Sequence, residues 1–154
     1  MPALVLDAAA GAGWLVVLDL VAGDEGAGRV LARRDWPALR DATASLPWLA
    51  ADALNEAGVT PAALALIAVV AGPGSFTGLR ASLAFAHGLA LASDAALVPV
   101  AVDEAAAAGG ERTPASILDA AMRRRAGRLP PLGPVPVYAG PAQARAAPMR
   151  PAPV

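Results

Sequence analysis

From Ala62 to Val70 every side chain is apolar, and the run turns β-branched towards its end at Ile67, Val69 and Val70. That pattern predicts a central parallel strand covered on both faces. It leads into Ala71-Gly72-Pro73-Gly74-Ser75-Phe76-Thr77-Gly78-Leu79-Arg80-Ala81-Ser82, where the glycines open backbone conformations closed to other residues and Pro73 fixes one φ. A helical pattern follows Gly78 and runs from about Leu79 to Ser93, with the small residues Ala84, Gly88 and Ala92 four apart. Such a stripe permits close approach of another helix.

Shorter patterns frame this centre. Ala3 to Asp7 reads as a strand, and Gly13 to Leu20 as its hairpin partner across a flexible Ala8-Ala9-Ala10-Gly11-Ala12 connection, with a weaker third strand near Gly28 to Arg33. Asp41 to Ala57 carries Leu46, Leu49, Ala50, Leu54 and Ala57 at helical spacing and ends near Gly58. Thr60-Pro61 has the form of an N-cap followed by proline at the first helical position. Ala96 to Ala101 predicts a returning strand, Val102 to Ala108 a short helix, and Gly109-Gly110 a loop closing a first unit over 1–110. In 111–140 the pattern weakens: Ser116 to Asp119 predicts a strand opening a second unit, and Pro134 to Tyr138 an edge segment. Residues 141–154, rich in Pro, Ala and Arg, predict a disordered tail.

Composition narrows the chemistry. A chain of 154 residues and 15.2 kDa suffices for one core and is a tight fit for two domains. Hydrophobic residues make up 56%, but much of this is alanine, which buries little area, so a helix-rich and thinly packed core is expected. A net charge of -1 offers no general attraction to nucleic acid, and no direct nucleic-acid binding is expected. All 12 basic residues are arginine, which excludes a P-loop lysine, a Schiff base and a lysine general base. The absence of cysteine excludes disulfides, thiolate nucleophiles and zinc-cysteine sites and fits a reducing, cytoplasmic compartment. The N-terminus has no cationic n-region and reaches Asp7 too early for a signal peptide. The charge-free stretch 57–79 has membrane-spanning length, yet Pro61 and Gly72-Pro73-Gly74 would break a spanning helix, and a soluble protein is expected.

Several residues admit a functional and a purely structural reading. Asp7 ends the first predicted strand, where acids of nucleotide-handling sheets meet metal or phosphate; a solvated turn aspartate is the rival. The glycine loop offers backbone amides and a helix N-terminus to a phosphate, or else serves as a tight connection that packs helix on strand. It matches neither a Walker A motif nor a G-x-G-x-x-G fingerprint. Arg80 suits an anion or a partner carboxylate, or simply an exposed first turn. His87 is the single histidine, so any Ser-His-Asp relay would have to pass through it; Leu83, Phe85 and Leu91 around it favour a packing or interface role. Arg123-Arg124-Arg125 reads as a solvated face or a partner contact.

The run Gly72-Pro73-Gly74-Ser75-Phe76-Thr77-Gly78-Leu79-Arg80 resembles the hallmark G-P-G-S-F-T-G-[VL]-R of the TsaB (YeaZ) family, which serves threonylcarbamoyl modification of adenosine 37 in tRNA. Its flanks agree with that resemblance. Leu4-Val5-Leu6-Asp7 is similar to the family's opening I-D-T strand, Ala86-His87-Gly88-Leu89-Ala90 to its A-x-G-L-A helix, and Val98-Pro99-Val100 to its next strand. Ile117-Leu118-Asp119-Ala120 resembles the strand opening the family's second domain, and Pro136-Val137-Tyr138 its C-terminal P-[VL]-Y segment, with most of the intervening sequence missing. Three positions depart from the pattern. Ala8 stands where threonine or serine usually follows the aspartate, Asp41 falls where a histidine often begins the first long helix, and the second half is short.

The resemblance implies an α/β, actin-like ATPase (ASKHA, ribonuclease H-like) fold with its first half near complete and its second half truncated. It implies a non-catalytic scaffold that binds and activates a TsaD-like transferase, with a TsaE-like ATPase as a further partner and a homodimer on a similar surface. The contact would use Leu46, Leu49, Leu83, Ala84, His87, Gly88, Leu91 and Ala92 of the two long helices. Anion or nucleotide contact would fall on Asp7, Gly72, Gly74, Ser75, Thr77, Gly78 and Arg80. The chain is expected to hold no metal and no cofactor of its own, with ATP and Mg at the partner complex. Two rivals stand beside this reading: a small phosphoryl- or acyl-transfer enzyme using Asp7, Ser75, Thr77 and His87, and a degenerate paralogue that keeps the fold and has lost its partner.

Overall fold

Strand β1 (Pro2–Ala10) sends Leu4, Leu6 and Ala8 to one face of a sheet and Ala3, Val5 and Ala9 to the other, the period-2 alternation of extended chain. All six are buried, so both faces of this strand require a cover. In the computed structural model, which describes residues 1–10, 12–21, 28–37, 42–107 and 109–138, β1 lies at the centre of a five-stranded sheet. β2 (Ala12–Leu20) pairs antiparallel with β1, and β3 (Gly28–Trp36) antiparallel with β2. On the other side β4 (Leu66–Gly72) pairs parallel with β1, and β5 (Ala96–Ala101) parallel with β4. The order is β3-β2-β1-β4-β5.

Each parallel step needs a crossover, and the helices provide it. α1 (Leu46–Ala57) connects β3 to β4 and stops at Gly58, whose φ of 64° is left-handed and whose N–H meets the carbonyls of Asn55 and Leu54. α2 (Phe76–Ser93) connects β4 to β5. Both cover one face, where Leu46, Ala50, Leu54, Leu83 and Ala86 join Leu4, Leu6, Leu15, Ile67 and Val69. The opposite face is covered by the one-turn α3 (Val102–Ala105) and by α4 (Pro114–Arg125), which bring Ala105, Ile117, Leu118, Ala120 and Ala121 against Val5, Val16, Val70 and Val100. β4 is buried at all seven positions, as its uninterrupted apolar run requires.

Several expected boundaries move. The first strand continues past Asp7 to Ala10, so Ala8 and Ala9 are buried sheet residues and not a flexible connection; the pairing with β2 shifts register between Asp7 and Ala10. β3 runs on to Trp36, because Ala32 and Trp36 alternate into the core beneath α1. The first long helix begins at Leu46 after a 3-10 turn over Ala42–Ser45, and the expected start at Asp41 lies outside the described residues. Thr60 precedes only a 3-10 turn, Pro61–Ala63, and its side chain makes no capping bond. α2 starts at Phe76, three residues before Leu79, and α3 is one turn that ends at Ala105.

Ser116 to Asp119 is helix, not strand. Thr113 caps α4 by accepting from the Ser116 amide, Pro114 occupies the first turn, and the helix runs through Arg123-Arg124-Arg125. α4 completes the second face of the same sheet. The core is centred on the sheet and is not helix-dominated: Leu4, Leu6, Leu15, Leu18, Leu66 and Ile67 are among its largest fully buried side chains. The Pro134 to Tyr138 segment is no strand; it is held by one backbone bond, from the Val137 N–H to the Ala71 carbonyl at 2.7 Å. The tail over 141–154 lies outside the described residues. Among the described residues no helix is long and apolar enough to cross a membrane.

Candidate functional site

The parallel pairing of β1 and β4 brings their carboxyl ends side by side, where an α/β sheet places its loops of function. The Ser75 N–H donates to the Ala9 carbonyl at 2.7 Å, which ties the glycine loop to the end of β1. The Ser75 hydroxyl then accepts from the Gly78 N–H at 3.3 Å and caps α2, while the Leu79 N–H donates to the Ser75 carbonyl at 2.9 Å.

The glycines are required by backbone contacts. A Cβ on Gly74 would sit closer than 3.0 Å to the Ala9 carbonyl oxygen, one on Gly78 equally close to the Ala8 carbonyl oxygen, and one on Gly72 to the Val137 carbonyl oxygen. Gly72 also has a φ of +115°, which side chains rarely adopt. Three carbonyl oxygens therefore face the loop. A phosphate needs convergent N–H donors, and carbonyl dipoles present it with negative ends. Three amides that the loop could offer, those of Ser75, Gly78 and Leu79, are already bonded within the chain.

Asp7 is buried, with 4% of its surface exposed. One carboxylate oxygen, Oδ1, accepts from the Ala9 N–H at 2.9 Å, and Oδ2 accepts from Arg112 Nε at 2.7 Å. The acid is thus already paired with a guanidinium of its own chain. Among the described residues no group of three or more His, Asp or Glu side chains could hold a metal ion. The carbonyl-faced loop and the paired Asp7 do not fit a nucleotide with its Mg.

Asp7 and Arg112 stand at the wall of an open cleft of about 440 Å³, lined also by Trp14, Asp35, Trp36 and Glu111. Trp36 packs over Gly13, which has no room for a Cβ, and the Trp36 Nε1 is buried without a hydrogen-bond partner among the described residues. Arg33 lies over the Trp14 ring at 5.3 Å and donates to Asp35, which holds the Asp35 carboxyl below its ordinary value.

The remaining expected residues divide. Thr77 and Arg80 are exposed in the first turns of α2, with the Arg80 guanidinium 5.0 Å from the Phe76 ring. His87 lies 12 residues beyond Ser75, about 18 Å along the helix axis, and is exposed, so Asp7, Ser75, Thr77 and His87 do not converge into a relay. Leu46 and Leu83, expected on a partner face, are buried at 1% and 3% exposure beneath their own helices and belong to this chain's core. Leu49 is partly buried against the same core. Ala84, His87, Gly88, Leu91 and Ala92 are all exposed on one side of α2.

Sequence reasoning missed Arg112, just before α4, and a clamp at the far end of that helix. Arg124 donates to both oxygens of Glu104 at 2.6 Å, to the Pro99 carbonyl at 3.0 Å and to the Pro130 carbonyl at 3.2 Å. No local signal marks either arginine, because each partner is set by how α4 and its preceding loop lie on the sheet. The Arg123-Arg124-Arg125 run is therefore mixed, with Arg123 and Arg125 exposed and Arg124 largely buried.

A family model described as TsaD, tRNA N6-adenosine threonylcarbamoyltransferase, matches residues 37–123. Among solved structures, YeaZ from Pseudomonas aeruginosa is similar at 31% identity and a TM-score of 0.54, over 65% of this chain and 43% of that one. A second structure, described as a protein with similarity to peptidase YeaZ from Pseudomonas aeruginosa, is similar at 31% identity and a TM-score of 0.55 with the same coverage. The chain thus spans less than half the length of these structures. No curated protein matches it. The sheet and its helices are those of an actin-like ATPase fold, present in part.

Proposed function

Since the chain belongs to the TsaD family and is TsaB/YeaZ-like within it, we propose that it is a non-catalytic partner subunit that binds and activates a TsaD-type transferase in tRNA threonylcarbamoyladenosine formation. The observation that carries this reading is the outward face of α2. Ala84, His87, Gly88, Leu91 and Ala92 form one exposed side, small in the middle and apolar at Leu91, which is 88% exposed. On α1, in the same layer, Trp48 is 80% exposed. Large apolar side chains held in water beside a shallow, small-residue surface suit a helix packed against them. The site chemistry supports a scaffold too, since Asp7 and the glycine loop are spent on internal bonds. Any ATP and Mg would then belong to the partner complex, and a homodimer through the same face would compete with it.

Co-expression of the chain with the TsaD protein from the same source tests the reading. A stoichiometric complex that survives size-exclusion chromatography is expected, with the tRNA modification restored in cells lacking TsaB. Two separately eluting proteins at micromolar concentration would overturn it, and a complex without restored modification would leave a paralogue that keeps the contact and has lost the activation.

A further inference from the structure

Residues 129–138 leave α4 and cross from one side of the sheet to the other. Leu129 packs on the face covered by α4, and Leu132 on the face covered by α1 and α2. The crossing is anchored at both ends. At its start the Pro130 carbonyl accepts from Arg124, whose Nη2 also donates to both carboxylate oxygens of Glu104. At its far end the Val137 N–H donates to the Ala71 carbonyl at 2.7 Å, and the Val137 carbonyl oxygen occupies the space that a Cβ on Gly72 would need. One residue on, the Tyr138 ring stacks on Phe76, the first residue of α2, with centroids 4.9 Å apart and planes at 28°. Arg80, one turn later, lies over the other partner of that stack, the Phe76 ring.

We infer that residues 130–138 are a strap that holds the glycine turn and the first turn of α2 against the sheet, and so sets how α2 presents its outer face. Without the strap the Ala71 carbonyl, one residue before the end of β4, would lose this partner, and an 18-residue helix would start from a turn tied to the sheet only by the pairing of Gly72 with Ala101 and the Ser75 bond to Ala9. The strap adds a third tie. Gly72 is then explained twice over, by its positive φ and by the carbonyl laid across it. The part of this inference that concerns the outer face rests on the partner reading above; the strap itself does not.

Hydrogen exchange of the full chain, alone in solution, separates the two. Val137→Pro removes the N–H that bonds Ala71, and Tyr138→Ala removes the ring over Phe76. Loss of one such contact corresponds to about fivefold faster opening or more, so amides of 74–80 are expected to exchange about fivefold faster in either variant. Amides of β2, remote from the strap, should keep their rates. Val135→Ala, at a residue 60% exposed within the strap, is the control and should change nothing. Tyr138 is 43% exposed, so its truncation leaves folding intact and decides the matter if Val137→Pro loosens the whole chain. Unchanged exchange over 74–80 in Tyr138→Ala would overturn the strap. Faster exchange in a chain that binds no TsaD would uphold the strap and overturn only the partner reading.

Discussion

Arg112 and Asp7 are 105 residues apart in the chain, and in the fold the Arg112 Nε donates to Asp7 Oδ2 at 2.7 Å. The pair joins the loop before α4 to the centre of the sheet. The Asp7 side chain is 5% exposed and that of Arg112 21%, so the charge of Asp7 has little access to water once its partner is gone. Arg112→Leu is therefore expected to destabilise the chain by about 2–4 kcal/mol, near the range for breaking a buried pair from one side. Asp7→Asn placed in the same chain should recover part of that loss, because no uncompensated carboxylate then remains. Urea unfolding of the two single variants and the double variant measures the coupling. Strictly additive losses would contradict the pairing as a source of stability.

Two glycines of α2 should respond in opposite directions to the same substitution. A Cβ on Gly78 would meet the Ala8 carbonyl closer than 3.0 Å, and a backbone atom yields little, so Gly78→Ala is expected to destabilise by about 1–3 kcal/mol. Gly88 has nothing within 4 Å of where its Cβ would be, so Gly88→Ala should stabilise the helix by about 0.5–1 kcal/mol. Thermal unfolding of both variants checks the pair.

The open space at Gly88 also separates folding from partnership. Gly88→Leu should not destabilise the isolated chain, since the position is open and leucine forms helix better than glycine. In a close helix contact it should weaken TsaD binding by about 1–3 kcal/mol, roughly five- to 150-fold in affinity. Binding titrations with unchanged affinity would remove this face of α2 from the interface.

Acid sensitivity has an identified contributor. The bonds from Arg33 hold the Asp35 carboxyl below its ordinary value, with their Coulomb attraction adding to the effect. A carboxylate whose folded pKa is lowered adds stability above its unfolded pKa, near 3.9, and loses it as pH falls through the folded value. Asp35 is 61% exposed, so its share is small and screened by salt. The urea midpoint of the parent should owe nothing to this pair's titration between pH 5 and 8 and should fall below about pH 4, with a shallower fall in Asp35→Asn. Equal acid slopes at low ionic strength would remove Asp35 from the account.

Much of the sheet was legible because its signals are local. The alternation in Ala3 to Asp7, the hairpin partner up to Leu20, the apolar run into Val70 and the return at Ala96 to Ala101 each show their period within a few residues, and each is a strand. The glycine loop announced itself by composition, and its role as a tight strand-to-helix connection is the one its carbonyl contacts support. Ser116 to Asp119 has the short apolar look of a strand and is helix, with Thr113, Pro114 and Ser116 forming a capped start. A short apolar run has no period of its own, and burial on one face of α4 supplies what the run lacks.

The site divides along the same line. Residue type alone marks which positions have the freedom or the charge to matter: Gly72, Gly74 and Gly78 for unusual backbone, Asp7 for a carboxylate at the end of the first predicted strand, and the small stripe Ala84, Gly88 and Ala92 for close approach of another helix. What meets them follows from the fold. Arg112 reaches Asp7, the carbonyls of Ala8, Ala9 and Val137 lie against the glycines, and Leu46 and Leu83 turn inward while Leu91 stays in water. The reason is physical: a residue's type sets what contacts it tolerates, but a partner more than a hundred positions away is chosen by the path of the whole chain over its sheet.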